Sequence, residues 1–263
     1  MPSGQSSPST LGDAAVALDR VGMAYGRRRV FDSLSCGFPQ GRISVILGGS
    51  GSGKSTILRL IGGLVRPQTG SVVVDGQDMA RLSQGGLTAV RQKLGMMFQG
   101  GALLDSYSVF ENVALPLREQ RRLSATEIES RVRVTLNSVG VTDSDDLLPG
   151  ELSGGMLRRV ALARAIIGIP SILLCDEPFS GLDPLTIKRL ETLLMQINRE
   201  LRMTMIVVSH DIHSTLRMAD HILLLLGGRV FAGTPDQMRH SQDSDVAAFF
   251  DDRLEIPGAR RQD

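Results

Sequence analysis

The stretch ISVILGGSGSGKSTILRLIGGL, residues 43–64, changes character twice within a short span. Residues 43–47 form an apolar run of the kind a buried strand shows. Gly48, Gly49, Ser50, Gly51, Ser52 and Gly53 follow, and then Lys54, Ser55 and Thr56. From Lys54 the apolar residues fall at 57, 58, 60, 61 and 64, a helical period that predicts a helix over 54–64. Gly48 to Ser55 fits G-x-x-x-x-G-K-[ST]. In that pattern glycines let backbone N–H groups curl around phosphates at a helix N-terminus, the lysine neutralises β and γ oxygens, and the Ser/Thr hydroxyl serves Mg2+. A flexible turn is the alternative for the loop alone, but a turn needs neither the strand before it nor the helix after it. The candidate nucleotide-binding residues here are therefore Gly48 through Thr56, with Lys54 and Ser55 carrying the chemistry.

Working outward, residues 15–25 carry apolar residues at strand spacing, and a second extended stretch runs through Val30, Phe31 and Leu34 to Phe38, antiparallel to the first. Arg27, Arg28 and Arg29 follow Gly26 and read as a solvated hairpin tip in preference to a phosphate site. Residues 71–74 predict a strand ended by an Asp75-Gly76 turn. Further on, Ser124 and Glu127 form a capping box ahead of Ile128, Val132, Thr135, Leu136 and Val139 on one helical face, with Gly140 as a stop. Residues from about 100 to 165 read as a mainly helical lobe inserted in an α/β core. A strand at 172–175, a helix striped by Ile187, Leu190, Leu194, Ile197 and Leu201, and a strand at 205–208 then alternate as in a parallel sheet. Residues 222–226 and 229–232 flank Gly227-Gly228 as a hairpin, and Thr234-Pro235 opens a helix. The expected organisation is a disordered tail at 1–14, one domain at 15–250 and a polar tail at 251–263.

Composition narrows the function classes. The 263 residues are 42% hydrophobic and 22% charged, in the ordinary globular range. A net charge of +1 supplies no basic field of the kind non-specific nucleic-acid binding uses, so nucleic acid is not an expected partner. The longest aliphatic run, 222–226, is far short of the roughly 20 residues of a membrane span. The opening MPSGQSSPSTLGDA has neither the basic start and apolar stretch of a secretory signal nor the arginines of a transit peptide. Cys36 and Cys175 lie far apart in apolar runs and are expected as buried free thiols in a reducing compartment.

A second chemical element is ILLCDE, an apolar strand ending in Asp176 and Glu177. Alone, such acids serve structural salt bridges as readily as catalysis. Behind a phosphate loop, Asp176 can hold a metal through water while Glu177 orients and polarises an attacking water.

The stretch LSGGM, Leu152, Ser153, Gly154, Gly155 and Met156, lies about 20 residues before Asp176 and resembles the LSGGQ signature of ABC ATPases. Gln99 matches the Q-loop residue of that family, Ser180, Gly181, Leu182 and Asp183 its D-loop, His210 its switch histidine, and Tyr25 the aromatic that stacks on adenine. His213 reads as a solvated helix residue. The resemblance implies a P-loop NTPase core of α/β class, a mixed sheet with helices, bearing an antiparallel β edge and an inserted helical subdomain. It further implies ATP and Mg2+ as cofactors, Glu177 and His210 as catalytic residues, and Ser55, Gln99 and Asp176 around the metal. In this family the signature of one copy closes over ATP held by another, which implies a homodimer. Met156 departs from the usual Gln, so a side-chain hydrogen bond from that position is not implied.

Three longer stretches, FQGGALLDSYSVFENVALPLRE (98–119), ELSGGMLRRVALARAI (151–166) and DEPFSGLDP (176–184), resemble the ATPases of Mce-type phospholipid transporters. That resemblance implies transmembrane permease subunits, an Mce-domain substrate-binding protein, a STAS-domain protein and a place on the cytoplasmic face of the inner membrane. Importers of amino acids or other polar solutes share every catalytic motif and stay open as an alternative. A non-transport ABC ATPase acting in cell division, repair or translation is a further one, although repair and translation members usually carry two ATPase units or a long coiled insertion. An inert adaptor would be expected to lack Lys54 or Glu177.

Overall fold

A computed structural model describes residues 14–251. The described residues form two compact units, one made of residues 14–80 together with 208–251, the other of residues 81–207. The expected tails at 1–14 and 251–263 lie outside the described residues except at their inner ends, where Ala14 opens the first strand and Asp251 closes the last helix.

The first unit begins with strands β1 (Ala14–Tyr25) and β2 (Arg28–Pro39), paired antiparallel. Pairing continues to Tyr25 opposite Arg28, so the tip is the two residues Gly26 and Arg27, with Gly26 left-handed at φ 59°. Arg28 and Arg29 therefore belong to the strand and not to the expected solvated tip; Arg29 is paired with Asp32 at 2.7 Å. Strand β3 (Ile43–Gly48) is buried along its whole length and feeds helix α1 (Lys54–Ile61) through the glycine-rich loop. The helix ends three residues before Leu64. Gly63, at φ 63°, and Leu64 turn back to donate to the carbonyls of Leu60 and Arg59, the paired bonds of a Schellman stop, and Leu64 is left half exposed.

Strand β4 (Thr69–Val74) lies antiparallel to β1, and β5 (Gln77–Asp78) folds back on it through Asp75 and Gly76, both left-handed as a two-residue hairpin turn requires. The resulting antiparallel sheet has the order β2-β1-β4-β5. Its core face is made by alternate residues of β1 and β4, Val16, Leu18, Val72 and Val74.

The second unit opens with helix α2 (Gln84–Arg91) and strand β6 (Leu94–Met97). Helices α3 (Val109–Gln120) and α4 (Ala125–Ser138) follow, each started by a capping box, Ser108 with Glu111 and Ser124 with Glu127. Ile128, Val132, Leu136 and Val139 are buried as their spacing predicts. A 3-10 turn at Pro149–Glu151 leads to helix α5 (Gly154–Ile166), then strand β7 (Ile172–Asp176), helix α6 (Pro184–Leu201) and strand β8 (Thr204–Val208). Strand β7 lies between β6 and β8 and runs parallel to β6. Buried Asn112 on α3 accepts from Leu104 and donates to the carbonyls of Leu104, Tyr107 and Ser108, which fixes the turn that precedes its helix.

The chain returns to the first unit with helix α7 (Ile212–Met218) and strand β9 (His221–Leu226), parallel to β3. Gly227 and Gly228, both left-handed, turn it into antiparallel β10 (Arg229–Gly233). Helix α8 (Pro235–Arg239) starts at a Thr234/Gln237 capping box, and α9 (Ser244–Asp251) buries Val246 and Phe250. Among the described residues no helix is long and apolar enough to cross a membrane.

Candidate nucleotide-binding site

In the first unit, β3 delivers the chain into the loop at Gly48, where φ is 150° and a methyl group would stand 2.5 Å from the Leu225 carbonyl oxygen and 2.8 Å from Ser52 Oγ. Gly53 ends the loop in a left-handed conformation, φ 100°, with no space for a side chain between Val30 and Phe31. The ammonium of Lys54 turns back over the loop and donates to the carbonyls of Gly48 and Gly49 at 2.9 and 3.0 Å. Ser52 Oγ is buried and has no hydrogen-bond partner among the described residues. A cradle of close-packed main chain, a cation folded over it, no acidic residue in the first turn of α1 and an unsatisfied hydroxyl suit an anionic phosphate chain.

Tyr25, at the end of β1, is 42% exposed. Arg28, across the hairpin from it, reaches the loop, with Nη2 at 3.4 Å from the Gly51 carbonyl. Nothing in the run Arg27-Arg28-Arg29 signals this contact, which Arg28 makes as a residue of β2 and not of the tip. His210 is exposed at the end of β8, between Ser209, whose amide donates to the Ile46 carbonyl on β3, and Asp211, which caps α7 through the amide and hydroxyl of Ser214. His213 is exposed on α7.

In the second unit, β6 ends just before Phe98 and exposed Gln99. Gly100, Gly101 and Ala102 follow with φ of 81°, 88° and 47°, three left-handed residues in a row. Gly101 leaves no space for a Cβ, which would lie 2.6 Å from Leu157 Cδ2 on α5. Asp176 is the last residue of β7, and Glu177 beyond it is held at φ 50°, a region a non-glycine residue seldom occupies. The turn continues with Ser180 donating to the Glu177 carbonyl and Leu182 to that of Phe179. Asp183 caps α6, accepting from Leu185 and Thr186; the hydrogen bond with Thr186 is the main cause that holds its carboxyl below the ordinary value. That capping duty was not read from the sequence, though Asp before Pro184 at a helix start is its usual signal.

The LSGGM segment is a helix start. Ser153 caps α5, accepting from the Met156 amide at 3.3 Å, and both Ser153 and Gly154 are exposed. Cβ positions built on Gly154 and Gly155 would lie 3.5 Å from Leu182 and 2.8 Å from Thr186, so the glycines let this helix start lie against the 180–183 turn and the first turn of α6. Thus the first unit gathers Tyr25, residues 48–56 and His210, and the second gathers Gln99, residues 152–156, Asp176, Glu177 and residues 180–183.

A model of the ABC transporter family matches residues 31–180. The chain is 44% identical over 225 residues to the intermembrane phospholipid transport system ATP-binding protein MlaF of Haemophilus influenzae, covering 85% of each chain. It is 42% identical over 232 residues to MlaF of Escherichia coli strain K12, covering 88% of this chain and 86% of that one. Among solved structures, a dimeric ATP-binding cassette in a post-hydrolysis state bound to ADP and Pi superposes with a TM-score of 0.76 at 33% identity, covering 84% of this chain and 98% of the cassette. A family match over more than half of the residues, together with likeness along most of the chain, makes this protein a member of the ABC transporter ATP-binding family.

Proposed function

We propose that the chain is the ATP-hydrolysing subunit of a phospholipid transporter, working in pairs beneath an Mce-type permease. The observation that carries this reading is the 44% identity to a phospholipid transport ATP-binding protein across 85% of both chains. Residues 15–250 act as one ATPase domain, with residues of about 100–165 as its helical lobe.

Residues 48–56 wrap the phosphates, Lys54 neutralises the β and γ oxygens, and Tyr25 stacks on the adenine ring. Glu177 orients the water that attacks the γ-phosphorus as the bond to the bridging oxygen breaks, and His210 contacts the γ-phosphate. Ser55, Gln99 and Asp176 offer the oxygen donors that suit Mg2+, which is commonly held by one or two protein oxygens together with substrate phosphates. When bound, Mg2+ supplies charge neutralisation across the β and γ oxygens. Residues 152–156 and 180–183 act across a pair of copies, closing over the nucleotide held by the other.

Exposed Phe98, Leu104 and Tyr107 support a permease contact on residues 98–119. An Mce-domain substrate-binding protein and a STAS-domain protein complete the assembly at the cytoplasmic face of the inner membrane. To test the cargo, the ATPase and its co-purifying permease are reconstituted in liposomes with labelled phospholipid and candidate polar solutes. ATP-dependent lipid transfer, lost in Glu177→Gln, is expected. Solute uptake without lipid transfer would replace the lipid reading with that of a solute importer. The paired arrangement has its own test: Ser153→Arg should bind ATP as a monomer yet form no ATP-dependent dimer on a sizing column.

A further inference from the structure

Three arginines of α5 each donate to main-chain carbonyls of a different segment. Arg158 Nη2 lies 2.9 Å from the Ser180 carbonyl, Arg159 Nη1 2.9 Å from that of Gly140, and Arg164 spans two carbonyls, Ala102 through Nη1 at 2.9 Å and Gly101 through Nη2 at 2.8 Å. Arg158 is only 8% exposed, and its Nη1 is buried with no partner among the described residues. Neither Arg158 nor Arg164 is in an ion pair among the described residues, and burial lowers the pKa of both.

A buried guanidinium without a carboxylate is an unfavourable way to fill space, because it carries a desolvation cost that an apolar side chain of similar volume avoids. What the two arginines add is geometric. At 1.5 Å per residue their attachment points on α5 are about 9 Å apart along the helix axis. One end grips Ser180 in the 180–183 turn, a residue that lies between left-handed Glu177 and Gly181. The other grips Gly101 and Ala102, the last two of the three left-handed residues that follow Gln99, and Gly101 lies directly on Leu157. The helix that carries both grips begins with the signature segment itself.

We propose that α5 is a rigid cross-piece in which Arg158 and Arg164 act as positioning residues, making the loop after Gln99, the signature start and the 180–183 turn move as one body. A displacement of residues 99–102 is carried through the Arg164 fork into a tilt of α5, and through Arg158 into the Ser180 carbonyl. This rests on the reading above that Gln99, residues 152–156 and residues 180–183 serve the nucleotide cycle.

The test uses the full chain with ATP and Mg2+ and the variants Arg158→Met and Arg164→Met, which keep most of the volume and remove the donors. Each is expected to lower kcat about tenfold or more while KM and equilibrium ATP affinity stay within about twofold, the pattern of lost positioning and not of lost binding. Hydrogen exchange supplies the readout that a merely local role would not move. Arg164→Met should speed exchange of the Leu182 amide in the 180–183 turn, as well as that of the Gly101 amide nearby. Protection of Leu182 unchanged in Arg164→Met, or wild-type kcat in both variants, would overturn the cross-piece. Should Arg158→Met fail to fold, Arg164→Met, whose side chain is only half-buried, decides the question through the same Leu182 measurement. Glu177→Gln separates this proposal from the one beneath it. Full hydrolysis by Glu177→Gln would remove the nucleotide-site reading, whereas an inactive Glu177→Gln beside two fully active arginine variants would remove only the cross-piece.

Discussion

The ammonium of Lys54 donates to the carbonyl of Gly48, 2.9 Å away, closing the loop that leads from β3 to α1 with its own first helical side chain. The positive charge is thereby held over the curl of main chain, where the proposed site puts the β and γ oxygens. Lys54→Ala removes the charge and leaves the glycine geometry. ATP affinity is expected to fall at least about tenfold, the scale of one charge-assisted contact, with thermal stability in the absence of nucleotide nearly unchanged. Equilibrium binding alongside a melting curve checks both halves; undiminished affinity would reject the role given to Lys54.

Gly53→Ala meets two separate obstacles. Its φ of 100° lies where L-residues rarely go, and the new methyl would stand 2.4 Å from Phe31 Cζ and 2.7 Å from Val30 Cγ1. Backbone strain of this kind costs about 1–3 kcal/mol, and the clash adds to it. The double variant Gly53→Ala/Phe31→Ala removes the nearest clash but leaves φ unfavourable and Val30 Cγ1 at 2.7 Å. Denaturant titration should therefore find Gly53→Ala still destabilising in the Phe31→Ala background, by less than in the wild-type one; full recovery would show that steric crowding alone requires glycine here.

His221 opens β9 directly opposite Ser44 on β3, and its Nδ1 is buried without a partner among the described residues. Burial holds its pKa below the ordinary 6.5. Neighbouring Asp220 is engaged by the Ile43 amide and faces Arg42 at 3.6 Å. The unfolded chain then takes up this proton first as the pH falls, so the contribution of His221 is complete above about pH 6.5 and is lost progressively below it. Urea unfolding at pH 7.5 and 5.5 should show a smaller loss of stability on acidification in His221→Gln than in the wild type. Equal losses would mean that His221 does not titrate differently on folding.

Cys36 and Cys175 are buried in β2 and β7, and burial pushes both thiols up to about 12, with the charge of Asp176 adding to the effect at Cys175. Thiolate is the reactive form. Neither should react with a thiol-specific disulfide reagent in the native protein, and both should react in denaturant. Fast labelling of either under native conditions would contradict the burial of its strand.

What could be read in the sequence was what local rules govern. The loop from Gly48 to Ser55, the capping box at Ser124, the turns at Asp75-Gly76 and Gly227-Gly228 and the start at Thr234-Pro235 are each decided within a few residues, and each lies where its pattern puts it. The end of α1 was equally local but was misplaced. Leu64 continues the apolar period past the end of the helix, and left-handed Gly63 is what stops it. The contacts of Arg28, Arg158 and Arg164 belong to a different kind. Arg158 and Gly101 are far apart in sequence from what they touch, and an arginine on a helix ordinarily reads as a solvated face. The usable signal is the company these residues keep in RRVALARAI, where charges interrupt an otherwise apolar stretch in which Val160, Ala161, Leu162, Ala163 and Ile166 are buried.

All the acceptors gripped by α5 are main-chain oxygens, those of Gly101, Ala102, Gly140 and Ser180. A carbonyl survives any side-chain replacement and does not titrate, so the attachment is genetically one-sided. Random mutagenesis of the three gripped segments should leave the hydrogen bonds available wherever the backbone path is preserved, while every substitution that abolishes them outright falls on the arginines themselves. Loops free to change their side chains can be retuned to a new partner with their mounting intact.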